Sequence, residues 1–376
     1  MEEMDNQNKF SQKIFYLLLF FAVVLAGSLA KTMSSTLIPI VLSFMLSFVF
    51  LPIIKKLNVK TGIPWVISSL IIILLFLISF LGLTSLLLSS LSGIISEYPK
   101  YENRFMSIYQ LIAQNLGLEI DDTKSLFQNL WTSLKVREYT QKFAVSLSSG
   151  VLSFSKTIFL ISIMTAFILI EMRLTKRKIH YAFKNNRDKI QRISNQTINQ
   201  TVRYISIKFF ISLATGIICF VMAWILGLDF PLVWGFLSFI MNFIPIFGST
   251  ISVGLTTIFS LVQFYPSWGK TLFILIFMTS INVVIGNIIE PRIEGKNLGI
   301  SPVAILISLS VWGYIWGFTG MLLAVPLTVI IKIICENLEY TKSIAIILGN
   351  DPRQSMDQKV QENPAAKSSE TIEQTN

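Results

Sequence analysis

Between Pro231 and Ile331 the chain is almost wholly apolar, yet residues that break helices interrupt it at three places. The first is NFIPIFGS, from Asn242 to Ser249, with Pro245 and Gly248 inside the run. The second is the polar crossing NIIEPRIEGKNLGISP, from Asn287 to Pro302. The third is GYIWGFTGMLLAVP, from Gly313 to Pro326. Hydrocarbon satisfies no backbone N–H or C=O, so such breaks are tolerated only where the backbone packs against protein or lines a wet cavity. Broken helices of this kind build the midplane sites of many transporters. A membrane transporter is the leading expectation.

Composition agrees. Hydrophobic residues make up 53% of the chain and charged residues 14%, against roughly 25% charged in a soluble domain. Several apolar runs exceed the roughly 20 residues a helix needs to cross a bilayer. The fold class expected is an all-α polytopic membrane protein, with about six full transmembrane helices and two re-entrant helical hairpins. The net charge of +10 does not point to nucleic acid. Ten Lys or Arg against Asp188 alone lie between Met172 and Lys208, and charge gathered in one loop beside a membrane helix is a topology signal. Cys219 and Cys335 both lie in apolar runs, and no disulfide framework or thiolate metal cluster can be built from two cysteines. His180, the one histidine, sits in the basic loop. That leaves no ligand set for a metalloprotease and no Ser-His dyad, so an intramembrane enzyme is not expected.

In chain order, residues 1–95 are read as three spans, with Lys55, Lys56 and Lys60 marking a cytoplasmic loop. Residues 96–147 form a small, nearly neutral extracytoplasmic insert, with Tyr101, Phe105, Ile108 and Ile112 on one helical face. A second insert helix would be capped at Asp121, Asp122 or Thr123. Residues 148–171 are the fourth span. Residues 172–208 are a basic cytoplasmic amphipathic segment, patterned like a helix on an anionic leaflet. Residues 209–349 are the transport core, and 350–376 a polar, disordered cytoplasmic tail.

The core carries an internal symmetry. A span and a broken run (Phe209 to Phe264) are followed by a span and a broken run (Thr271 to Lys332) of the opposite predicted direction. Residues correspond at an offset of 71 to 72: Pro231 with Pro302, Gly248 with Gly320, Val253 with Val325, Leu255 with Leu327, Thr256 with Thr328. Matching lengths and opposite topology make this a candidate inverted repeat.

Two hairpin tips meeting near the midplane would present helix ends to a shared cavity, positive ends for anionic groups and free carbonyls for cations or hydroxyls. Asn242, Ser249, Thr250 and Thr319 lie near the tips, and Asn282 and Asn287 on the span between them. Each buried amide is either interhelical glue or a ligand contact. Glu290 is the sharpest single residue. It ends an apolar span, precedes Pro291, and has two readings: a carboxylate that binds a proton or sodium ion, or an interfacial acid paired with Arg292. Trp316, beside the glycines of the third break, is a pocket candidate.

These stretches carry a resemblance. PLVWGFLSFIMNFIPIFGS from Pro231, VIGNIIEPRIEGKNLGISP from Val284 and GFTGMLLAVPL from Gly317, in this order, resemble the signatures of the autoinducer-2 exporter family, also called PerM-like permeases. The likeness covers most of the chain. Its pattern falls on Asn242, Pro245 and Gly248, on Asn287, Glu290, Pro291 and Gly295, and on Pro302, Gly320 and Pro326. The resemblance implies an inner-membrane, homo-oligomeric transporter with an elevator-like arrangement of re-entrant hairpins. Its members have been associated with export of a small quorum-sensing furanone and with sodium/proton antiport.

The expectation is therefore a multi-pass inner-membrane permease for a small polar solute, with both termini cytoplasmic. Its partners are a small-molecule or ion substrate, the lipid bilayer and further copies of itself, and not nucleic acid. No cofactor is expected, with coupling to H+ or Na+ left open. The substrate or ion pathway is assigned to Asn242, Pro245, Gly248, Ser249, Asn282, Asn287, Glu290, Pro291, Arg292, Trp316, Gly317, Thr319, Gly320 and Pro326. A sodium/proton antiporter using Glu290 is the alternative, and a structural or assembly protein working through its external insert the distant one.

Overall fold

The computed structural model describes residues 2–115, 136–182, 187–245, 247–294, 300–337 and 341–349. In chain order the helices are α1 (Glu2–Thr32), α2 (Ser34–Thr61), α3 (Trp65–Ser96), α4 (Tyr98–Asn115), α5 (Val136–Ala182), α6 (Arg187–Leu226), α7 (Pro231–Met241), α8 (Phe247–Phe264) and α9 (Trp268–Val284). A π-turn (Ile285–Ile289) joins α9 to α10 (Glu290–Glu294), and α11 (Pro302–Asn337) and α12 (Lys342–Leu348) follow. Among the described residues no strand occurs. Seven of the described helices are long and apolar enough to cross a membrane, so the chain is an all-α polytopic membrane protein. Two of the seven, α8 and α11, belong to hairpins. Five remain, and α1 would be the sixth full span, although its described apolar part, Phe20–Thr32, is shorter.

Helices run through some of the expected boundaries. The fourth span is the middle of one 47-residue helix, α5, which starts in the insert and runs into the basic segment. Arg187 to Lys208 opens α6. The basic stretch is thus the end of one long helix and the start of the next. Lys and Arg are good helix formers, so a change from apolar to charged residues does not end a helix. The second insert helix and its cap lie within 116–135, and the tail beyond 349; both are outside the described residues.

The chain forms two compact units. One comprises residues 1–45, 176–201 and 296–376, and the other residues 46–175 and 202–295.

Within the second unit, α7 and α8 form hairpin 1. The Ser238 and Ser252 hydroxyls meet at 2.8 Å across it. Within the first unit, α11 reads as one helical run, but Gly317 at φ 60°, ψ −139° takes a conformation essentially closed to residues with a Cβ. There the chain turns back. Ser308 Oγ donates to the Ala324 carbonyl at 3.0 Å and touches the Thr328 hydroxyl. In a straight helix, Ser308 and Ala324 would stand about 24 Å apart. Residues 302–316 and 318–337 are therefore the arms of hairpin 2.

The two hairpins share a construction. A Cβ on Gly248 would lie 1.7 Å from the Met241 carbonyl oxygen, and one on Gly320 1.9 Å from that of Trp312. Thr256 donates to the Ser252 carbonyl at 2.8 Å, and Thr328 to that of Ala324 at 2.7 Å. The loose correspondence at 71 to 72 residues is thus matched by the same close approach and the same hydroxyl in both hairpins. Close backbone contact and the serine contacts across each hairpin, Ser238 to Ser252 and Ser308 to Ala324, replace the hydrophobic drive that lipid does not supply.

The base of hairpin 1 is tied to α4 through Asp229. Its carboxylate accepts from Lys100 Nζ at 2.6 Å and from Tyr101 OH at 2.7 Å. Its N–H donates to Gln263 Oε1 at 2.7 Å, and its carbonyl accepts from Trp234 Nε1 at 3.0 Å. The Tyr101, Phe230 and Trp234 rings gather around Phe259. The hydrogen bond to Asp229 holds the Lys100 ammonium above its ordinary range. Burial, helped by Asp229, pushes the Tyr101 phenol up. A raised lysine contributes fully below its ordinary pKa and loses that contribution only as pH rises through the folded value. The tie therefore holds at neutral pH and weakens on the strongly alkaline side. Asp229→Ala, which strands the buried Tyr101 hydroxyl, is expected to cost about 1–3 kcal/mol. Hydrogen exchange of the Tyr98–Asn115 amides checks this: protection should fall in Asp229→Ala, and unchanged protection would show that α4 is held otherwise.

Candidate functional site

In the second unit the site is built on α6. Hairpin 1 crosses α6 at two glycines. A Cβ on Gly216 would sit 2.9 Å from the Gly235 carbonyl oxygen, and one on Gly235 2.8 Å from that of Gly216. Beside this crossing Cys219, Met222 and Ala223 of α6 pack with Leu228 and with Ile274 and Met278 of α9. Hairpin 1, α6 and α9 are held by direct backbone and side-chain packing.

At the hairpin's apex Asn242 ends α7, and its Nδ2 donates to Ser212 Oγ of α6 at 2.9 Å. Pro245 shapes the turn, where Phe247 and Gly248 donate to the Pro245 and Ile244 carbonyls. Gly248 then starts α8 against Met241, and Ser249 is half-buried.

One helical turn along α6 from Ser212 stands Lys208, whose Nζ lies 2.5 Å from Glu290 Oε1. The two side chains are 7% and 16% exposed. Glu290 reaches this position because of the π-turn. The buried face of α9 runs through Thr271, Ile274, Met278 and Ile285 at helical spacing. Continued as an α-helix, it would next bury Ile289. The π-turn inserts a residue: the Glu290 N–H donates to the Ile285 carbonyl, five residues back. Ile289 is accordingly 38% exposed, and Glu290 takes the inward place. Pro291 favours this irregularity, because it has no N–H for the carbonyl four residues earlier. Arg203 Nη2 reaches the Ile293 carbonyl at 3.4 Å, a cation at the end of α10 where free carbonyls gather.

The expected Glu290–Arg292 pairing is therefore replaced. Arg292 is exposed and Lys208, assigned from sequence to the end of the basic loop, is the partner. Asn282 Nδ2 donates to the Met278 carbonyl in its own helix at 2.9 Å. Asn287 and Pro291 are exposed. The structure thus ties Asn242 and Glu290 to α6, keeps Pro245 and Gly248 in the hairpin apex that Asn242 ends, and leaves Asn282 bonded within its own helix and Asn287, Pro291 and Arg292 exposed.

In the first unit the remaining candidates sit on hairpin 2. Trp316 is buried and its Nε1 donates to the Ala30 carbonyl at 2.9 Å, so the indole is an anchor on α1. Gly317 is the apex, Thr319 is half-buried beside it, and Gly320 presses on Trp312. Pro326, buried in the second arm, leaves the Leu322 carbonyl without its helical donor.

Sequence reading missed Ser212, Lys208 and the serines that close the hairpins, Ser238, Ser252 and Ser308. Lys208 carried one usable signal: it is flanked by YISI and FFIS, apolar on both sides. A half-buried amide and an ion pair, bonded to α6 one turn apart, offer a polar solute hydrogen-bonding groups and two opposite charges beside a helix otherwise built for lipid.

Comparison with known proteins bears on the family. The model of the AI-2E family transporter matches residues 14–340. A Borreliella burgdorferi protein named as a candidate transport protein is 33% identical over 69% of this chain and 70% of its own length. The AI-2 transport protein TqsA of Escherichia coli strain K12 is 30% identical over 78% of this chain and 83% of its own. The candidate transport protein YhhT of the same strain is 28% identical over 77% and 82%. The chain is a membrane transporter of the AI-2E family.

Proposed function

We propose that the chain is an inner-membrane secondary transporter that exports a small polar solute by elevator-like alternating access. The carrying observation is the apex of hairpin 1, bonded to α6 one helical turn from the buried Lys208–Glu290 pair. A hydroxylated, uncharged or dipolar solute suits this set, because it can take hydrogen bonds from Asn242 and Ser212 while the pair stays neutral as a unit. The name of TqsA makes autoinducer-2 the first solute to test. In this reading both hairpins are re-entrant, the core is an inverted repeat, both termini are cytoplasmic and copies assemble as a homo-oligomer. No cofactor is invoked.

The test is cysteine accessibility in a background lacking Cys219 and Cys335. Treated with small polar thiol reagents in intact cells and in inverted vesicles, Ser249→Cys and Thr319→Cys are each expected to react from one side. Addition of the transported solute should change the side from which they react. If both positions are inert from either side, the breaks are packing kinks and this reading falls.

Glu290 also supports a second reading, sodium/proton antiport. Lys208 already occupies the place of a cation on the carboxylate, so an ion would bind only by displacing the ammonium. Sodium-dependent proton flux in vesicles that disappears in Glu290→Gln, with the protein still folded, is the result this reading requires.

A further inference from the structure

We propose that hairpin 2 runs past the midplane to the level of the α1–α2 turn and is latched there, Trp316 and Tyr314 seating its apex on the end of α1. The proposal deepens the transport reading and rests on its re-entrant hairpin, but not on the identity of the solute.

Three contacts fix the seat, all within one unit. Trp316 Nε1 donates to the Ala30 carbonyl at 2.9 Å. Ala30 belongs to the last turn of α1, where carbonyls lose their helical donors, so the indole caps that helix from the side. Lys31, in the same turn, holds its Nζ 3.6 Å from the centroid of the Tyr314 ring, close enough for a cation–π contact. Between them the Ile315 side chain lies over Gly27. The three residues that precede the apex glycine therefore all lie against the last two turns of α1.

Length carries the argument to depth. From Pro302 to Trp316 the first arm is about 22 Å of helix. Its far end is tied to the C-terminal α12, with Ser301 N–H donating to the Leu348 carbonyl at 2.9 Å. The apex sits at the C-terminal end of α1, beside Met33, the one residue between α1 and α2. A hairpin stopping at the midplane would meet α1 about 15 Å before that end, since half of a roughly 30 Å core remains. The seat is also where the backbone can pivot. Gly317 alone takes the non-helical conformation, and the next residue, Phe318, is exposed, as is Tyr314 at 75%. Release of the indole and ring contacts would free the apex without unfolding either arm. That makes the α1 end the seat of a gate on hairpin 2.

The test uses the full-length protein with Cys219 and Cys335 replaced by alanine and a membrane-impermeant maleimide. Ser35→Cys marks the face of the α1–α2 turn, and Lys60→Cys marks the other end of α2. Phe318→Cys is expected to react from the same face as Ser35→Cys, whichever face that is. Reaction from the face of Lys60→Cys, or none from either while both markers react, would overturn the proposal. Markers that react from one common face would instead overturn the topology on which the transport reading stands. The latch has its own arm. Trp316→Phe keeps the ring and loses the N–H, and should raise the labelling rate of Phe318→Cys about fivefold, the value of one net hydrogen bond. An unchanged rate would show that the contact packs the apex but does not latch it.

Discussion

Lys208→Met is expected to destabilise the protein by about 3–5 kcal/mol, the usual cost of leaving one buried charge without its partner. The Nζ–Oε1 distance is 2.5 Å, and neither side chain reaches solvent enough for water to take over the missing charge. Glu290→Met should cost about as much, because the ammonium is then stranded. The double variant Lys208→Met/Glu290→Met removes both charges together and should be more stable than either single variant, so that the two losses fall well short of adding. Thermal unfolding of the detergent-purified protein measures all three. A single variant as stable as the parent would mean that the pair is not buried as described. The double variant also separates packing from transport. If it folds but no longer moves solute, the charges belong to the transport cycle; if it moves solute normally, they are a structural clip between α6 and α10.

That pair marks the limit of what the sequence made legible. The membrane class was readable because apolar runs longer than a bilayer have few other uses. The hairpins were readable because Pro245, Gly248, Gly317 and Gly320 are costly in lipid unless the chain turns there. Glu290 could be singled out as a carboxylate at the end of an apolar span. Its partner could not, since Lys208 lies 82 residues away and looked like the last member of a basic cluster. Nor could its direction. A π-turn adds one residue to a helix without altering any local composition, and that one residue exchanges Ile289 for Glu290 on the buried face. Trp316 failed for a related reason. An aromatic beside a glycine turn fits a pocket and an anchor equally well, and only the Ala30 carbonyl, 286 residues away, decides between them.

Gly248→Ala and Gly320→Ala should each cost about 3 kcal/mol or more, the upper end of what overpacking does. The added methyl would lie 1.7 Å or 1.9 Å from a backbone oxygen of the facing arm. Carbon and oxygen need well over 3 Å, so the arms must part by about 1.5 Å. Backbone cannot swing aside as a side chain can, and parting the arms stretches the serine contacts that close each hairpin, Ser238 to Ser252 and Ser308 to Ala324. Gly254→Ala is the control. It lies in the same helix as Gly248 with nothing within 4 Å of a Cβ, and there alanine should gain up to about 1 kcal/mol of helix propensity. Unfolding temperatures of the three variants should therefore move in opposite directions, with Gly248→Ala and Gly320→Ala falling together and Gly254→Ala holding or rising. If Gly248→Ala falls while Gly320→Ala does not, the two hairpins do not share one construction and the internal repeat loses its physical basis. If neither falls, the arms are not in backbone contact, and the breaks at Pro245 and Gly317 have to be explained without hairpins.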